Sequence, residues 1–239
     1  MLVRDGVGAA GLEVFVLHRV AGMVFAPSVT VFPGGGVDPS DAQLIPWSGP
    51  EPHWWADALG TTPERAAALV TAAVRELFEE TGVLLAGRGA DDADREDVTA
   101  HRRSLSAVLT ARGLTLRTEL LRPWANWVTP VGNTRRYDTF FFLAALPKGQ
   151  QARLLTTEAE SGRWARPADL LAEYAADALA LMPPTLAMLT ELAAAGTVTE
   201  AMAQRRQVVP VLPTVVSAPG EPLQVEVDGR ILSLRRVND

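Results

Sequence analysis

The stretch TPERAAALVTAAVRELFEETG, residues 62–82, restricts this chain more than any other. Ala66, Leu69, Val70, Ala73, Val74 and Leu77 recur at helical spacing, so about twenty residues must form a helix with one apolar stripe laid on another layer. Thr61 or Thr62 supplies the N-cap, Pro63 falls in the first turn, and Gly82 stops the helix with a left-handed residue. The last turn poses a problem. Glu76, Glu79 and Glu80 share one face at i, i+3 and i+4, where like charges repel. They also crowd the negative end of the helix dipole. A solvated polar face with Arg75 pairing Glu79 at i, i+4 is the plain reading. A bound divalent cation would relieve both repulsions, and oxygen-only ligands favour Mg²⁺ or Mn²⁺.

Around this helix the chain alternates strand and helix patterns. LEVFVLHRV (12–20) and SVTVFP (28–33) read as strands, and PGGGVDPSD (33–41) as a glycine-forced loop. Residues 42–60 carry three prolines and three tryptophans without a clear period, an ordered excursion because tryptophan is scarce in disordered linkers. A second helix is expected over Asp94–Arg112, acidic first and basic later. RTELLRPWANWVTP (117–130) and RYDTFFFLAAL (136–146) read as strands joined around Gly132-Asn133. A short strand near 152–157 leads to Trp164, helices follow at about 167–178 and 184–195, and the tail ends in a strand and a hairpin turned at Asp228-Gly229. The order indicates an α/β or α+β layered domain.

Several function classes drop out. The chain has no cysteine, which removes disulfides, thiolate nucleophiles and cysteine metal sites and fits a cytoplasmic location. A net charge of −6 argues against a nucleic-acid partner or an anionic membrane, and the apolar ALALMPPTLAML is broken by Pro183 and Pro184. MLVRDGVGAA lacks the apolar core of a signal peptide, and the final Val-Asn-Asp is not a peroxisomal address. The start lies so close to the first strand that an upstream start stays open. Gly6, Gly8 and Gly11 spell G-x-G-x-x-G, but a strand rather than a helix follows, so they read as a turn between two strands. His18, His53 and His101 match no zinc spacing, and neither a G-x-S-x-G elbow nor a P-loop is present.

Arg75-Glu76-Leu77-Phe78-Glu79-Glu80-Thr81-Gly82-Val83 resembles the second half of the Nudix box, G-x5-E-x7-R-E-U-x-E-E-x-G-U, with U a large aliphatic. Gly35, the five residues GVDPS and Asp41 reproduce the first half, with aspartate for glutamate, after Phe32-Pro33-Gly34. The arginine of an uninterrupted box would stand at position 49, so about 26 residues are inserted before Arg75. Such a split box resembles the Nudix branch that includes the peroxisomal coenzyme A diphosphatases of animals. The similarity extends through RPWANWVTP, RRYDTFFFLAAL and WARPADLL to LMPPTLAML.

The resemblance implies a Nudix fold, a mixed sheet between helices, over residues 1–198 with an insert at about 42–61 and a C-terminal β extension at 199–239. It implies a metal-dependent hydrolase that splits a diphosphate, with Glu79 and Glu80 as ligands and Glu76 as ligand or water-activating base. Arg75 would orient the glutamates, Asp41 would support Arg75, and a carbonyl near Gly35 would add a ligand. Relatives often use a further carboxylate six residues before a tryptophan, which nominates Glu158, with Glu160 in reserve.

Coenzyme A or acyl-coenzyme A is the first expectation for the substrate. The upstream coenzyme A signature keeps Arg19, but Val24 replaces its second arginine and Ser28 its glycine. ADP-ribose, NADH or a nucleotide sugar is the alternative, and a non-catalytic Nudix-fold binding module is a third reading. Arg19, Arg135 and Arg136 are candidate phosphate contacts, against the plainer reading of exposed hairpin arginines. Trp47, Trp54 and Trp55 would stack an adenine or, more simply, pack the insert. The insert and the C-terminal hairpin are the segments free to form a homodimer interface.

Overall fold

The computed structural model describes residues 1–6, 11–22, 28–131, 135–218, 221 and 223–233. In chain order the described elements are β1 (Leu2–Asp5), β2 (Leu12–Arg19), β3 (Thr30–Val31), β4 (Trp47–Ser48), α1 (Pro52–Leu59) and α2 (Pro63–Thr81). Then come α3 (Asp92–Thr99), α4 (Leu105–Arg112), β5 (Leu116–Arg117), β6 (Leu121–Val128), β7 (Asp138–Ala145) and β8 (Ala159–Ala165). The chain continues through α5 (Pro167–Ala175), α6 (Pro183–Leu192), α7 (Val198–Ala203), β9 (Pro210–Val211), β10 (Thr214–Val215), β11 (Gln224–Val227) and β12 (Arg230–Ser233).

A seven-stranded mixed sheet forms the middle layer, in the order β3-β2-β1-β7-β6-β9; β1 and β3 pair with different stretches of β2, and β8 pairs along its whole length with β2, from Val14 to Arg19. Period-two patterning puts a core on each face. Phe15 and Leu17 of β2 join α1 and α2 in one cluster, while Val14 and Val16 join α5 and α6 in the other. Leu121 of β6 faces the first cluster, and Trp124 and Trp127 face the second. This is the sandwich expected from the sequence.

The expected long helix is α2, capped by Thr62 and ended by Gly82 at φ 74°. Ala66, Val70, Val74 and Leu77 of its stripe are buried, and Leu69 and Ala73 pack at the margin. The ends of the glycine motif lie between the antiparallel strands β1 and β2, where the Gly6 N–H donates to the Gly11 carbonyl at 2.7 Å. Gly8, Val24 and the expected turn at Gly132-Asn133 lie outside the described residues. The tail hairpin turns at Asp228-Gly229 as expected. Tyr174 of α5 donates its hydroxyl to the Ser233 carbonyl and ties β12 to the main body.

Two expectations need correction. The helix expected over 94–112 is two helices, because His101 takes φ 53° and breaks the run before Ser104 caps α4. The strand expected near 152–157 does not form among the described residues, because its N–H groups go to α2 instead of a sheet: Arg153 to the Thr81 carbonyl and Leu155 to the Glu80 carbonyl, both at 3.0 Å. The insert is the ordered excursion expected, and part of it is a helix. Pro52 starts α1, and Gly60 ends it at φ 64°. Trp55 is fully buried and meets Phe142 of β7 at 5.9 Å between ring centroids. No described helix is long and apolar enough to cross a membrane.

The insert is therefore part of the core, and one pair of neighbours tests this. Trp55→Ala should cost about 3–5 kcal/mol in urea unfolding, whereas Trp54→Ala, with that side chain 43% exposed, should cost under about 1 kcal/mol. Equal losses would show that the insert merely covers the surface.

Candidate active site

The site is built on the last two turns of α2 and on the glycine loop that follows β3. Arg75 is its centre. Nε and Nη2 donate to Oδ1 and Oδ2 of Asp41, both at 2.9 Å, in a two-pronged pair. Nη2 also donates to the Gly36 carbonyl at 2.7 Å. Nη1 donates to Glu76 Oε1 at 2.8 Å and to Glu79 Oε1 at 3.1 Å. The side chains of Arg75 and Asp41 are only 4% and 1% exposed. Burial works against the guanidinium charge, but the Asp41 hydrogen bonds and the charges of Glu76 and Asp41 outweigh it and raise its pKa. The two half-boxes, separated in sequence by the insert, meet at this one side chain.

Asp41 is placed by local structure. It belongs to a 3₁₀ turn, Pro39–Ala42, capped by Asp38, and Asp41 Oδ2 also accepts from the Asp38 N–H at 2.8 Å. Aspartate is one methylene shorter than glutamate, yet this turn brings it within full reach of Arg75. Gly35 lies in close contact with Glu76. A Cβ there would lie 2.5 Å from Glu76 Oε1, so a larger residue would push that carboxylate out of its place against the loop. The neighbouring Gly34 N–H donates to Glu80 Oε2 at 2.8 Å.

The negative pole of α2 is satisfied by protein donors. The carbonyls of Phe78, Glu79, Glu80 and Thr81 accept in turn from Gly82 N, Arg95 Nη1, Leu155 N and Arg153 N. The segment that supplies the last two leads into β8 and delivers Glu158. Glu158 Oε2 accepts from Arg19 Nη2 at 3.2 Å, and the Glu158 carbonyl accepts from the Val20 N–H at 3.0 Å. Glu158 adds to the negative charge around Glu80, whereas Glu160 lies 3.3 Å from His18 Nε2.

Burial raises the Glu80 pKa to about 8, with the charges of Glu76 and Glu158 adding to the effect and the Gly34 N–H and Arg19 opposing it. Burial also raises Glu76, with Arg75 pulling down and Glu79 and Asp41 pushing up. This donor set is all oxygen and carries surplus negative charge, which fits a hard divalent cation. One oxygen each of Glu76, Glu79 and Glu80 is held by a protein donor, leaving the others without one among the described residues. Among those residues no three acidic or histidine side chains are already gathered as a ligand shell.

The remaining candidates divide. Arg19 ends β2 beside the start of β8, next to the cluster. Arg135 and Arg136 lie at the β6–β7 turn, exposed, and Arg136 donates to the Thr129 carbonyl of its own hairpin at 3.0 Å. They share the sheet end with Arg19, but no described contact joins them to the glutamates. Ser28, where the coenzyme A signature has glycine, takes φ 53°, the left-handed backbone that glycine enters at least cost. The backbone roles of Gly34, Gly36, Arg153 and Leu155 are invisible to a side-chain motif. The glycine run was the only signal for the first two.

Two measurements test this network. Asp41→Ala strips a buried guanidinium of its two-pronged partner and should cost about 3–5 kcal/mol in urea unfolding, with part of the loss recovered by adding Arg75→Met. A full loss in the double variant would mean that Asp41 acts through something other than Arg75. The second is pH dependence without divalent cations. The folded-state pKa of Glu80 lies near 8 against 4.5 ordinarily, so its contribution to stability is fully present below pH 4.5 and is lost as pH climbs through 8. The urea midpoint should fall across that window in EDTA, less steeply in Glu80→Gln, and Mn²⁺ should restore it. A slope unchanged by Glu80→Gln would assign the effect to other groups.

Comparison with known proteins agrees with this geometry. The family model for the NUDT19 Nudix domain matches residues 55–192, which include Arg75–Gly82 but not the glycine loop. A Caenorhabditis elegans protein given the name nudix hydrolase 7 is 31% identical over 75% of this chain and 55% of its own length. The acyl-coenzyme A diphosphatase NUDT19 of Homo sapiens is 26% identical over 74% of this chain and 59% of its own. That of Xenopus laevis is 24% identical over 75% and 59%. The chain thus spans under three-fifths of the length of these curated relatives. A crystal structure of a Nudix hydrolase from Alicyclobacillus acidocaldarius superposes with a TM-score of 0.71 at 31% identity, covering 86% of this chain and 94% of that one. With more than half of its residues inside the family match and both half-boxes joined at Arg75, this chain belongs to the Nudix family, in the branch described by the NUDT19 Nudix domain.

Proposed function

We propose that this chain is a divalent-cation-dependent diphosphatase that splits the diphosphate of coenzyme A or an acyl-coenzyme A into two phosphate-ended products. The observation that carries this reading is the Arg75 junction, which brings Asp41 and the Gly36 carbonyl across the insert onto the helix that bears Glu76 and Glu79. A binding module would not require three carboxylates kept at a helix end where burial and mutual repulsion disfavour them.

Glu79 and Glu80 are the proposed cation ligands, with Glu158 and a loop carbonyl near Gly35 beside them. Glu76 is a ligand or the base that takes a proton from the attacking water. Its raised pKa and its contact with Arg75 allow it to hold a proton briefly and remain oriented. Bound Mg²⁺ or Mn²⁺ would neutralise the substrate's charge, render a water nucleophilic and stabilise the departing phosphate. Arg75 orients carboxylates and stays charged throughout. Arg19 is the proposed diphosphate contact.

The coenzyme A preference draws support from the relatives named acyl-coenzyme A diphosphatases and from Arg19 and the Ser28 backbone, the remnants of the signature. Phosphate release from coenzyme A, an acyl-coenzyme A, ADP-ribose, NADH and nucleotide sugars, with Mg²⁺ or Mn²⁺, tests it. Coenzyme A compounds should lead, Glu79→Gln and Glu80→Gln should abolish cation-dependent turnover, and Arg75→Lys should lower it by about 10–100-fold. Preference for ADP-ribose or a sugar nucleotide by a wide margin would replace the substrate and keep the chemistry. Silence across the panel, with cation binding unaffected by either glutamate change, would sink the enzymatic reading.

A further inference from the structure

Arg19 and Glu158 contact each other, although the reading above gives them to different ligands: Arg19 to a phosphate and Glu158 to a cation. Their pairing is loosely made. A single bond of 3.2 Å joins Nη2 to Oε2, and the Glu158 side chain is 57% exposed. The Arg19 side chain is 20% exposed, its Nε is buried, and no acceptor meets that atom among the described residues. A guanidinium has five donors, and among the described residues this one spends a single donor on protein.

The main chain at both residues is held independently of the pair. The Arg19 N–H donates to the Val29 carbonyl at 3.0 Å, and the Val20 N–H donates to the Glu158 carbonyl at 3.0 Å. The β2–β8 register shifts between His18 and Arg19, which aims successive side chains away from the regular pleat. Both charges lie close enough to Glu80 to act on it, in opposite directions. Side-chain rotation alone can therefore part Arg19 from Glu158 beside the glutamate cluster.

We propose that Arg19 and Glu158 form an exchangeable ion pair that couples the two ligands. Glu158 is withheld from the cation while Arg19 holds it, and it is released when Arg19 turns to a diphosphate. Cation and diphosphate then strengthen each other's binding, since a coupling free energy is reciprocal. The inference rests on the assignment of the cation to Glu79 and Glu80.

Mn²⁺ titration of the whole chain, read as free Mn²⁺ by electron paramagnetic resonance, tests it without turnover. The diphosphate probe is methylenediphosphonate, corrected for its own Mn²⁺ complex. Without the probe, Arg19→Met should bind Mn²⁺ about two- to five-fold more tightly, the scale of a partly exposed ion pair. The further tightening that the probe gives the unaltered chain should shrink in this variant. In a Glu158→Gln background the gain from Arg19→Met should vanish. A gain that persists there is a through-space charge effect and overturns the proposal, as does an unchanged or weaker Mn²⁺ affinity in Arg19→Met. Arg19→Lys, which keeps the charge but loses the fork, serves as the second variant if Arg19→Met unfolds. Mn²⁺ binding indifferent to both Glu79→Gln and Glu80→Gln would instead remove the assignment on which the coupling stands, and the proposal with it.

Discussion

The buried pair between Arg75 and Asp41 is the contact on which the site depends. Each charge would be costly alone in this setting, and each satisfies the other through two bonds of 2.9 Å. The remaining donors of the same guanidinium reach Glu76, Glu79 and the Gly36 carbonyl. Loop, insert boundary and helix end are thereby fixed by one planar group. A lysine, with a single charged head, could not hold these directions at once.

The helix end shows how three badly placed carboxylates are accommodated. The main-chain dipole is answered by four protein donors to the last four carbonyls, so the side chains do not face unpaired helix oxygens. What remains is repulsion among the carboxylates and the cost of their burial, visible in the pKa of about 8 at Glu80 and the raised value at Glu76. That residual cost is the physical ground for the cation-binding state proposed above. The segment Arg153–Glu158 serves the structure twice, since it caps α2 with its backbone and then presents Glu158 to Arg19.

Much of this was legible in particular residues. Thr62, Pro63, the apolar stripe and Gly82 define α2 because caps and periodicity are local properties. Asp41 could be matched to Arg75 by motif spacing across the insert. Other elements were obscured for physical reasons. Three prolines and three tryptophans masked the period of α1, although Pro52 and Gly60 mark its ends. The acidic-to-basic drift over 94–112 looked continuous, but a single left-handed residue, His101, splits it. Residues 152–157 have strand-like composition, and their N–H groups are taken by a helix end, which no local pattern reports.

Sequence by itself determined the long helix, the two-faced strands, the glycine loop and the carboxylates that are proposed to hold a cation. These follow from periodicity, capping and motif spacing, all read along the chain. Tertiary structure decided that Asp41 reaches Arg75 despite its short side chain, that Trp55 enters the core while Trp54 stays outside, and that Glu158 rather than Glu160 bears on Glu80. It also decided that Arg19 holds Glu158. Such pairings depend on burial and direction between segments far apart in sequence, and only the packed chain fixes these.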